Sequence, residues 1–218
     1  MERILYHGSE SIIKKPELSK GNIHNDYGLG FYCCSNESLA KEWAARKSGF
    51  GFVNRYHLRD DHLKILDLTK PPFNDVLHWV ALLMNNRELS VDIKDNYPRE
   101  LKYLFDKYLI DASNYDVVIG YRADDSYFHF PASFVRSEIT LESLNEIFKA
   151  GDLGKQYVLV SKKAFELLKF IDYKVVSSVS KEDYYKRKDK ADKVFADLLI
   201  KDRYSKGTRL RDLIIDYE

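Results

Sequence analysis

Apolar positions recur along the chain with two different periods, which separates predicted strands from predicted helices. Short runs that are uniformly apolar, or that alternate with polar residues, predict strands, whereas apolar residues three to four positions apart predict helices. The predicted strands cover residues 4–6, 28–34, 51–58, 63–68, 115–120, 156–161 and 173–177. The predicted helices cover 35–45, 74–84, 99–109, 141–150, 162–170 and 181–201, and residues 128–132 fit neither period clearly. Because strands and helices show no regular βαβ alternation, the pattern predicts an α+β fold.

Local signals predict where several of these elements begin and end. The first strand is expected to stop in a turn at His7-Gly8-Ser9, since glycine and serine are typical of turns. Ser35 and Thr140 are candidate N-caps for the helices that follow them, and Gly151 stands where the second of these helices should end.

The last forty residues differ from the rest because they are strongly charged. Residues 179–218 are therefore predicted to be a charged helical C-terminal extension, packed by a narrow apolar stripe on a first domain of residues 1–178. The basic run Lys186-Arg187-Lys188 leaves nucleic-acid binding open as an alternative. Interspersed acidic residues favour a solvated helix face instead.

Composition narrows the classes of partner and compartment. The 218 residues carry 35 basic and 34 acidic side chains, so a net charge of +1 gives no global case for binding nucleic acid or membranes. The adjacent cysteines, Cys33 and Cys34, are expected to be reduced thiols. No signal peptide and no membrane span can be recognised, so a cytoplasmic location is expected.

Three short motifs are candidates for a ligand site. They are His7-Gly8-Ser9, the run Gly28-Leu29-Gly30-Phe31-Tyr32, and the strand Gln156-Tyr157-Val158-Leu159-Val160. Taken singly, each is more often a turn, a bend or an ordinary strand. None is the usual dinucleotide fingerprint, because no Gly-x-Gly-x-x-Gly lies between a strand and a helix.

Taken in order, these motifs resemble the ADP-ribosyltransferase superfamily, in its diphtheria-toxin-like and poly(ADP-ribose)-polymerase-like branch with a His-Tyr-Glu triad. Trp43 stands eleven residues after Tyr32, where that branch has a second aromatic residue, and Gln156 stands in place of the glutamate. The chain also resembles a bacterial family of uncharacterised toxin-like proteins of this fold, which share a strand like residues 119–125. The resemblance implies a split β-sheet core surrounded by helices, which would make 1–178 a catalytic domain.

The resemblance also implies that NAD is the co-substrate and that named residues hold it. Gly8 would offer its backbone and Ser9 its hydroxyl to the nicotinamide carboxamide, while His7 would bond a ribose hydroxyl. Tyr32 would stack on the nicotinamide ring, and Trp43 would close the other side.

Gln156 is the departure from the triad, because an amide keeps a hydrogen bond to the ribose but lacks the charge of a carboxylate. Transfer of a single ADP-ribose, rather than polymer synthesis, is therefore expected. Gly154 stands where arginine-specific members carry Glu or Gln, which argues against arginine as acceptor.

Other charged residues are weighed for roles around the ligand. Arg122 can pair with a pyrophosphate and Asp125 can activate an acceptor nucleophile, or both can belong to a solvated turn. His24 and Asp26 would lie on the loop that crosses the NAD site, where solvation is the expected role. The remaining histidines show no spacing typical of a metal site: His57, His62, His78 and His129.

The expected function is mono-ADP-ribosylation of a macromolecule (protein, RNA or DNA). The resemblance alone implies that the enzyme is the toxin of a bacterial toxin–antitoxin or phage-defence system, with an antitoxin protein as partner. The alternatives are an NAD glycohydrolase, an inactive NAD- or ADP-ribose-binding module, and a nucleic-acid-binding protein that uses the tail.

Overall fold

A computed structural model describes residues 2–123, 128–149, 154–177, 179–215 and 217. Within these residues the strands are β1 (Glu2–Ser9), β2 (Phe31–Cys34), β3 (Gly51–Arg59), β4 (Ile65–Asp67), β5 (Val117–Tyr121), β6 (Lys155–Leu159) and β7 (Leu168–Val176). The helices are α1 (Glu37–Ala45), α2 (Val76–Asn86), α3 (Val91–Asn96), α4 (Pro98–Tyr108), α5 (His129–Val135), α6 (Leu141–Lys149), α7 (Lys162–Glu166), α8 (Val179–Arg203) and α9 (Leu210–Ile215).

The strands form one seven-stranded sheet in the order β4-β5-β6-β2-β1-β3-β7. Among the described strands, only the edge pair of β4 and β5 is parallel, and the other neighbours are antiparallel. In the described part of the chain, helices and strands are mixed without a repeating βαβ unit, which confirms the α+β class.

The sheet narrows at its centre, where β1 meets β2. These two strands share a single register pair, Tyr6 with Cys34, whereas β1 pairs with β3 along all eight of its residues. On the other side, β2 pairs with β6 over four residues. The sheet therefore consists of two well-paired halves, β4-β5-β6-β2 and β1-β3-β7, whose facing strands share a single register pair.

Alternate side chains of the central strands bury both faces of the sheet. Val118 on β5 packs into the largest core cluster, with Trp79 of α2 and Phe130 of α5. Its neighbours Val117 and Ile119 belong to a second cluster on the opposite face. This period of two explains why β5 reads as an unbroken apolar run in the sequence.

A third cluster holds α1 against β1 and β3 at very short range. Ala40 and Ala44 of the helix pack on Val53 of β3. A Cβ added to Gly8 would lie 2.0 Å from the backbone oxygen of Ala40, and one added to Gly51 would lie 2.2 Å from that of Ala44. Both glycines are thus required by the close approach of the helix.

The long helix α8 is tied to the body of the protein by a buried carboxylate. Asp202 is 1% exposed, and its Oδ2 accepts hydrogen bonds from the backbone N of Thr140 at 2.7 Å and from its Oγ1 at 3.1 Å. Its Oδ1 accepts from Ser143 Oγ at 2.9 Å. Asp202 therefore supplies acceptors to the first turn of α6 from far along the chain.

Several predicted boundaries were wrong, and each has a local cause. The His7-Gly8-Ser9 segment is not a turn but the end of β1, because β3 pairs with it as far as Ser9 opposite Phe52. Asn36, not Ser35, caps α1, since its Oδ1 accepts from Ser38 N at 2.9 Å. The predicted helix over 162–170 ends at Glu166, and the following residues join β7.

Helices α3, α5, α6 and α9 differ in how far the sequence predicts them. Thr140 does cap α6, with Oγ1 accepting from Ser143 N at 3.2 Å. The undecided segment 128–132 lies largely within α5, and α3 was not predicted. Helix α9 lies beyond the helix predicted over 181–201 but within the extension predicted to be helical. Gly151 lies outside the described residues. No helix in the described part of the chain has the length and apolar character needed to cross a membrane.

Candidate functional site

A cavity of about 590 Å³ lies where the two halves of the sheet meet. Its volume is in the range of pockets that take small molecules and cofactors. The walls come from β1, β2, α1, the loop between β1 and β2, and the segment after β5. Its lining comprises residues 6–8, 11–17, 20–22, 25, 26, 30–34, 39, 40, 43, 87, 122, 123 and 156.

Most of the residues predicted from sequence meet at this cavity. The lining contains six of them: His7, Gly8, Tyr32, Trp43, Arg122 and Gln156. Ser9 follows on the same strand, and its hydroxyl donates to Ser11 O at 2.6 Å and accepts from Asn54 Nδ2 at 2.9 Å. Asp125, the predicted activator of an acceptor, lies outside the described residues.

His7 is fixed in one tautomer by the strand beside it. Its Nδ1 lies 2.7 Å from the carbonyl oxygen of Tyr32, and a carbonyl only accepts, so Nδ1 carries the proton. The ring packs on Phe31 with centroids 4.4 Å apart. Removal from water lowers the pKa of His7 below its usual value. The neutral imidazole therefore keeps a lone pair on Nε2 as a hydrogen-bond acceptor.

Tyr32 is held by its hydroxyl, which leaves its ring as the surface it offers. The hydroxyl donates to Gly28 O at 2.6 Å and accepts from Tyr27 N at 3.0 Å. Gly28 has φ +73°, a left-handed conformation that glycine adopts at little cost. Burial raises the pKa of Tyr32 far above its ordinary value, so the phenol stays protonated.

Gln156 presents a buried acceptor atom to this site. Its Nε2 donates to Asp26 Oδ2 at 3.4 Å, and its Oε1 is buried with no hydrogen-bond partner among the described residues. A carboxylate is only an acceptor, so the amide nitrogen must face Asp26 and the amide oxygen must point elsewhere. A buried acceptor without a hydrogen bond lowers the stability of the fold. Such acceptors are common where a bound ligand supplies the missing hydrogen bond.

Asp26 was placed by sequence on the loop that crosses the site, but the expectation that it is solvated was wrong. Its side chain is buried at 5% exposure. Oδ1 forms an ion pair with Arg87 Nη1 at 3.3 Å, and Oδ2 accepts from Ala123 N at 3.0 Å. These partners are remote in sequence, so no local pattern distinguishes Asp26 from a loop residue. His24, by contrast, is exposed and lies 3.7 Å from Glu88.

Arg122 is placed by anchors on both sides of it. The carbonyl of Tyr121 accepts from Tyr27 Oη at 2.6 Å and from Trp79 Nε1 at 3.0 Å, and Ala123 N donates to Asp26. The guanidinium carbon lies 4.8 Å from the ring centre of Trp43, within cation–π range. Only 7% of Arg122 is exposed, so its planar donors stay near the cavity wall.

Trp43 is shared by two arginines. It is 40% exposed on α1, and the guanidinium carbon of Arg46 lies 4.7 Å from its ring centre. Together with Arg122, this arrangement fixes the indole at the edge of the cavity. The indole ring is therefore held in one orientation by its charged neighbours.

The lining carries more positive than negative charge. Two of its cations are matched, because Arg87 pairs with Asp26 and Lys20 lies 3.2 Å from Glu17. The lining also contains Lys14, Lys15 and Arg122. This excess suits an anionic group such as a phosphate.

The thiols at the site stay protonated. Cys33 is buried and Cys34 is partly buried, and both are free. Burial raises the pKa of each thiol, which removes the thiolate needed for nucleophilic chemistry. The reduced state expected from sequence agrees with this placement.

Comparison with known proteins identifies a family but no described activity. A model of the family described as "Protein of unknown function (DUF3990)" matches residues 3–170, which is more than half of the chain. The protein therefore belongs to the DUF3990 family. No curated protein and no solved structure matches it.

Proposed function

We propose that this protein is an NAD-dependent mono-ADP-ribosyltransferase that modifies a macromolecule. One observation carries the proposal: His7, Tyr32 and Gln156 line one cavity, and Gln156 Oε1 is buried without a partner among the described residues. Three residues far apart in the chain would seldom meet in this way by chance. The order of these residues matches the triad pattern described from sequence, with Gln156 in place of the glutamate.

The chemistry of the lining fits the parts of NAD. His7 Nε2 and Gln156 Oε1 are acceptors, which suits the hydroxyl groups of a ribose. The ring of Tyr32 offers a flat apolar surface for the nicotinamide. The planar guanidinium of Arg122 can take a pyrophosphate oxygen pair with parallel hydrogen bonds.

The reaction asks little proton transfer of the protein. The bond between the ribose carbon and the positively charged nicotinamide breaks, and nicotinamide leaves as a neutral molecule. No general acid is needed, so the residues act by holding and orienting the two groups. An acceptor nucleophile then bonds to the ribose carbon and loses its proton. Because Gln156 is neutral, a single transfer is proposed rather than chain growth.

The test is labelling with NAD that carries a radioactive adenylate group. The wild-type protein is incubated with a cell lysate, and the products are digested with protease, ribonuclease or deoxyribonuclease. Release of nicotinamide together with a labelled macromolecule is expected, and the digestion identifies its class. His7→Ala and Gln156→Ala should each remove most of the signal. The matched control is His62→Ala, because that side chain is 76% exposed.

The alternatives give different results in the same experiment. Nicotinamide release without a labelled macromolecule would indicate an NAD glycohydrolase. Binding of NAD without turnover would indicate a binding module. Either result would reject the transferase, and labelling that survives His7→Ala would reject the site.

We extend the proposal to biology on the resemblance to toxin-like bacterial proteins. The enzyme would act in the cytoplasm and be held in check by an antitoxin. Expression of the wild-type protein should arrest bacterial growth, and His7→Ala should relieve the arrest at equal protein level. Equal toxicity of the two proteins would refute this extension.

A further inference from the structure

We infer that Asp26 and Gln156 form one functional unit, in which Asp26 is a positioning residue that holds the amide of Gln156 with its oxygen toward the ligand. The inference rests on the proposed function, because a ribose hydroxyl is the group that this oxygen would meet. It assigns a role to a residue outside the three motifs. It also explains how a site of this kind works with glutamine in place of a carboxylate.

Asp26 sets the direction in which the Gln156 amide points. A glutamine side chain can present either its nitrogen or its oxygen to a ligand, and the two ends have opposite bonding character. Asp26 Oδ2 lies 3.4 Å from Nε2 and can only accept. The carboxylate therefore selects the orientation in which Oε1, the acceptor, remains available. This is the buried atom that lacks a partner among the described residues.

The carboxylate of Asp26 is itself held in place by its neighbours. Arg87 Nη1 contacts Oδ1 at 3.3 Å, and Ala123 N donates to Oδ2 at 3.0 Å. The guanidinium carbon of Arg87 in turn lies 5.0 Å from the ring centre of Phe128. Asp26 is thus held from the end of α2 and from the segment after β5. A carboxylate fixed at both oxygens can hold an amide in a fixed direction.

Replacing the amide of Gln156 with a carboxylate would place two carboxylates side by side. Gln156→Glu restores the residue expected of the triad, and a simple comparison with that triad predicts higher activity. The unit predicts the reverse, because the new carboxylate would lie against Asp26 in a poorly hydrated place. Two such groups cannot both ionise at low cost, so they hold one proton between them. Loss of that proton at higher pH would drive the side chains apart.

Activity is measured as nicotinamide release at pH 7.5 for wild type, Gln156→Glu, Asp26→Asn and the double variant. Gln156→Glu alone should lower the rate by about 100-fold, and the same change made in Asp26→Asn should lower it by less than about 5-fold. Asp26→Asn is itself impaired, because an amide oxygen that replaces Oδ2 and accepts from Ala123 and Gln156 leaves the amide nitrogen, a donor, against the guanidinium of Arg87. The difference between the two backgrounds is the coupling that a merely structural Asp26 would not produce.

A second measurement does not depend on NAD. The midpoint of urea unfolding of Gln156→Glu is compared with that of wild type from about pH 5 to pH 8. The shared proton belongs to the folded state, so the variant should match wild type most closely at low pH and lose stability as pH rises. Adding Asp26→Asn should remove this pH dependence.

A solvent-exposed pair of an amide and a carboxylate provides the matched control. Asn114 Nδ2 donates to Asp111 Oδ2 at 2.8 Å, and both residues are exposed. Asn114→Asp therefore creates the same pair of carboxylates where solvent screens them. Its unfolding midpoint should follow that of wild type across the same pH range.

The outcomes separate the unit from the proposed function. A Gln156→Glu protein as active as wild type, with an unfolding midpoint that follows wild type at every pH, would overturn the unit while leaving the transferase intact. A pH-dependent loss of stability that Asp26→Asn relieves, in a protein that never releases nicotinamide, would support the pairing and reject the function. Loss of activity that is equal in both backgrounds would overturn the positioning role.

Discussion

Replacing Gly8 with alanine should push helix α1 away from the sheet. The new Cβ would lie 2.0 Å from Ala40 O and 2.7 Å from Ala44 N, and neither backbone atom can rotate away. Ordinary van der Waals contact begins at 3.4 Å, so the helix must retreat by roughly 1.4 Å at this point. The same helix carries Trp43 at the edge of the cavity.

The cost follows from how tightly the helix is packed. Extra atoms in a well-packed interior usually cost about 1–3 kcal/mol. Because the clash here is with helix backbone, we expect the upper end, about 3 kcal/mol of unfolding free energy. For a chain of this size that corresponds to a fall of roughly 6–12 °C in Tm. Urea unfolding followed by circular dichroism measures the free energy, and calorimetry measures Tm.

Gly51→Ala provides an internal check, because its Cβ would lie 2.2 Å from Ala44 O on the same helix. Each single variant should be destabilised, and the double variant should lose less than the sum, since one retreat of α1 accommodates both methyl groups. The reasoning would be refuted by a Gly8→Ala protein that unfolds within about 0.5 kcal/mol of wild type. If such a protein had lost NAD binding, the glycine would be needed for the ligand rather than for the helix.

Three further predictions concern single side chains. Burial lowers the pKa of His7, so wild-type stability should fall as pH drops below about 6.5, where the unfolded chain takes up a proton and the folded one does not; His7→Gln should reduce that fall in urea titrations between about pH 5 and 8. Asp202→Ala should cost about 3–5 kcal/mol in the same assay, because it strands buried donors, whereas the exposed Asp197→Ala on α8 should cost under about 0.5 kcal/mol. If the protein binds NAD as proposed, Arg122→Gln should weaken that binding at least about tenfold by calorimetry, while Arg46→Gln, which also stacks on the indole but is not part of the lining, should leave it within about twofold; equal losses would refute the role proposed for Arg122.

Strands with a uniformly apolar sequence were predictable because local pattern and burial agree. β5 and β6 lie within two residues of their predicted bounds, since both are buried on the two faces of the sheet. The end of β1 was not predictable, because the turn-like composition of residues 7–9 is overridden by pairing with β3. Residues 168–170 fit a helical spacing equally well, and only their pairing with β3 selects a strand.

The candidate site was predictable where it depends on residue type and order. His7, Tyr32 and Gln156 could be selected from short motifs, and the fold brings them to one cavity. The burial of Asp26 could not be predicted, because it depends on Arg87 and Gln156, which lie far along the chain. A charge is buried only when such partners exist, and a sequence does not display them.

The narrow junction between β1 and β2 affects how the sheet bears load. Strands β1 and β2 are connected by one register pair, Tyr6 with Cys34, and by the hydrogen bond from His7 to the Tyr32 carbonyl. By contrast, β1 pairs with β3 along its whole length. His7 stands on one half, and Tyr32 and Gln156 stand on the other. A molecule that contacts all three would bridge the two halves of the sheet. The sheet would therefore be stiffer when the cavity is occupied than when it is empty.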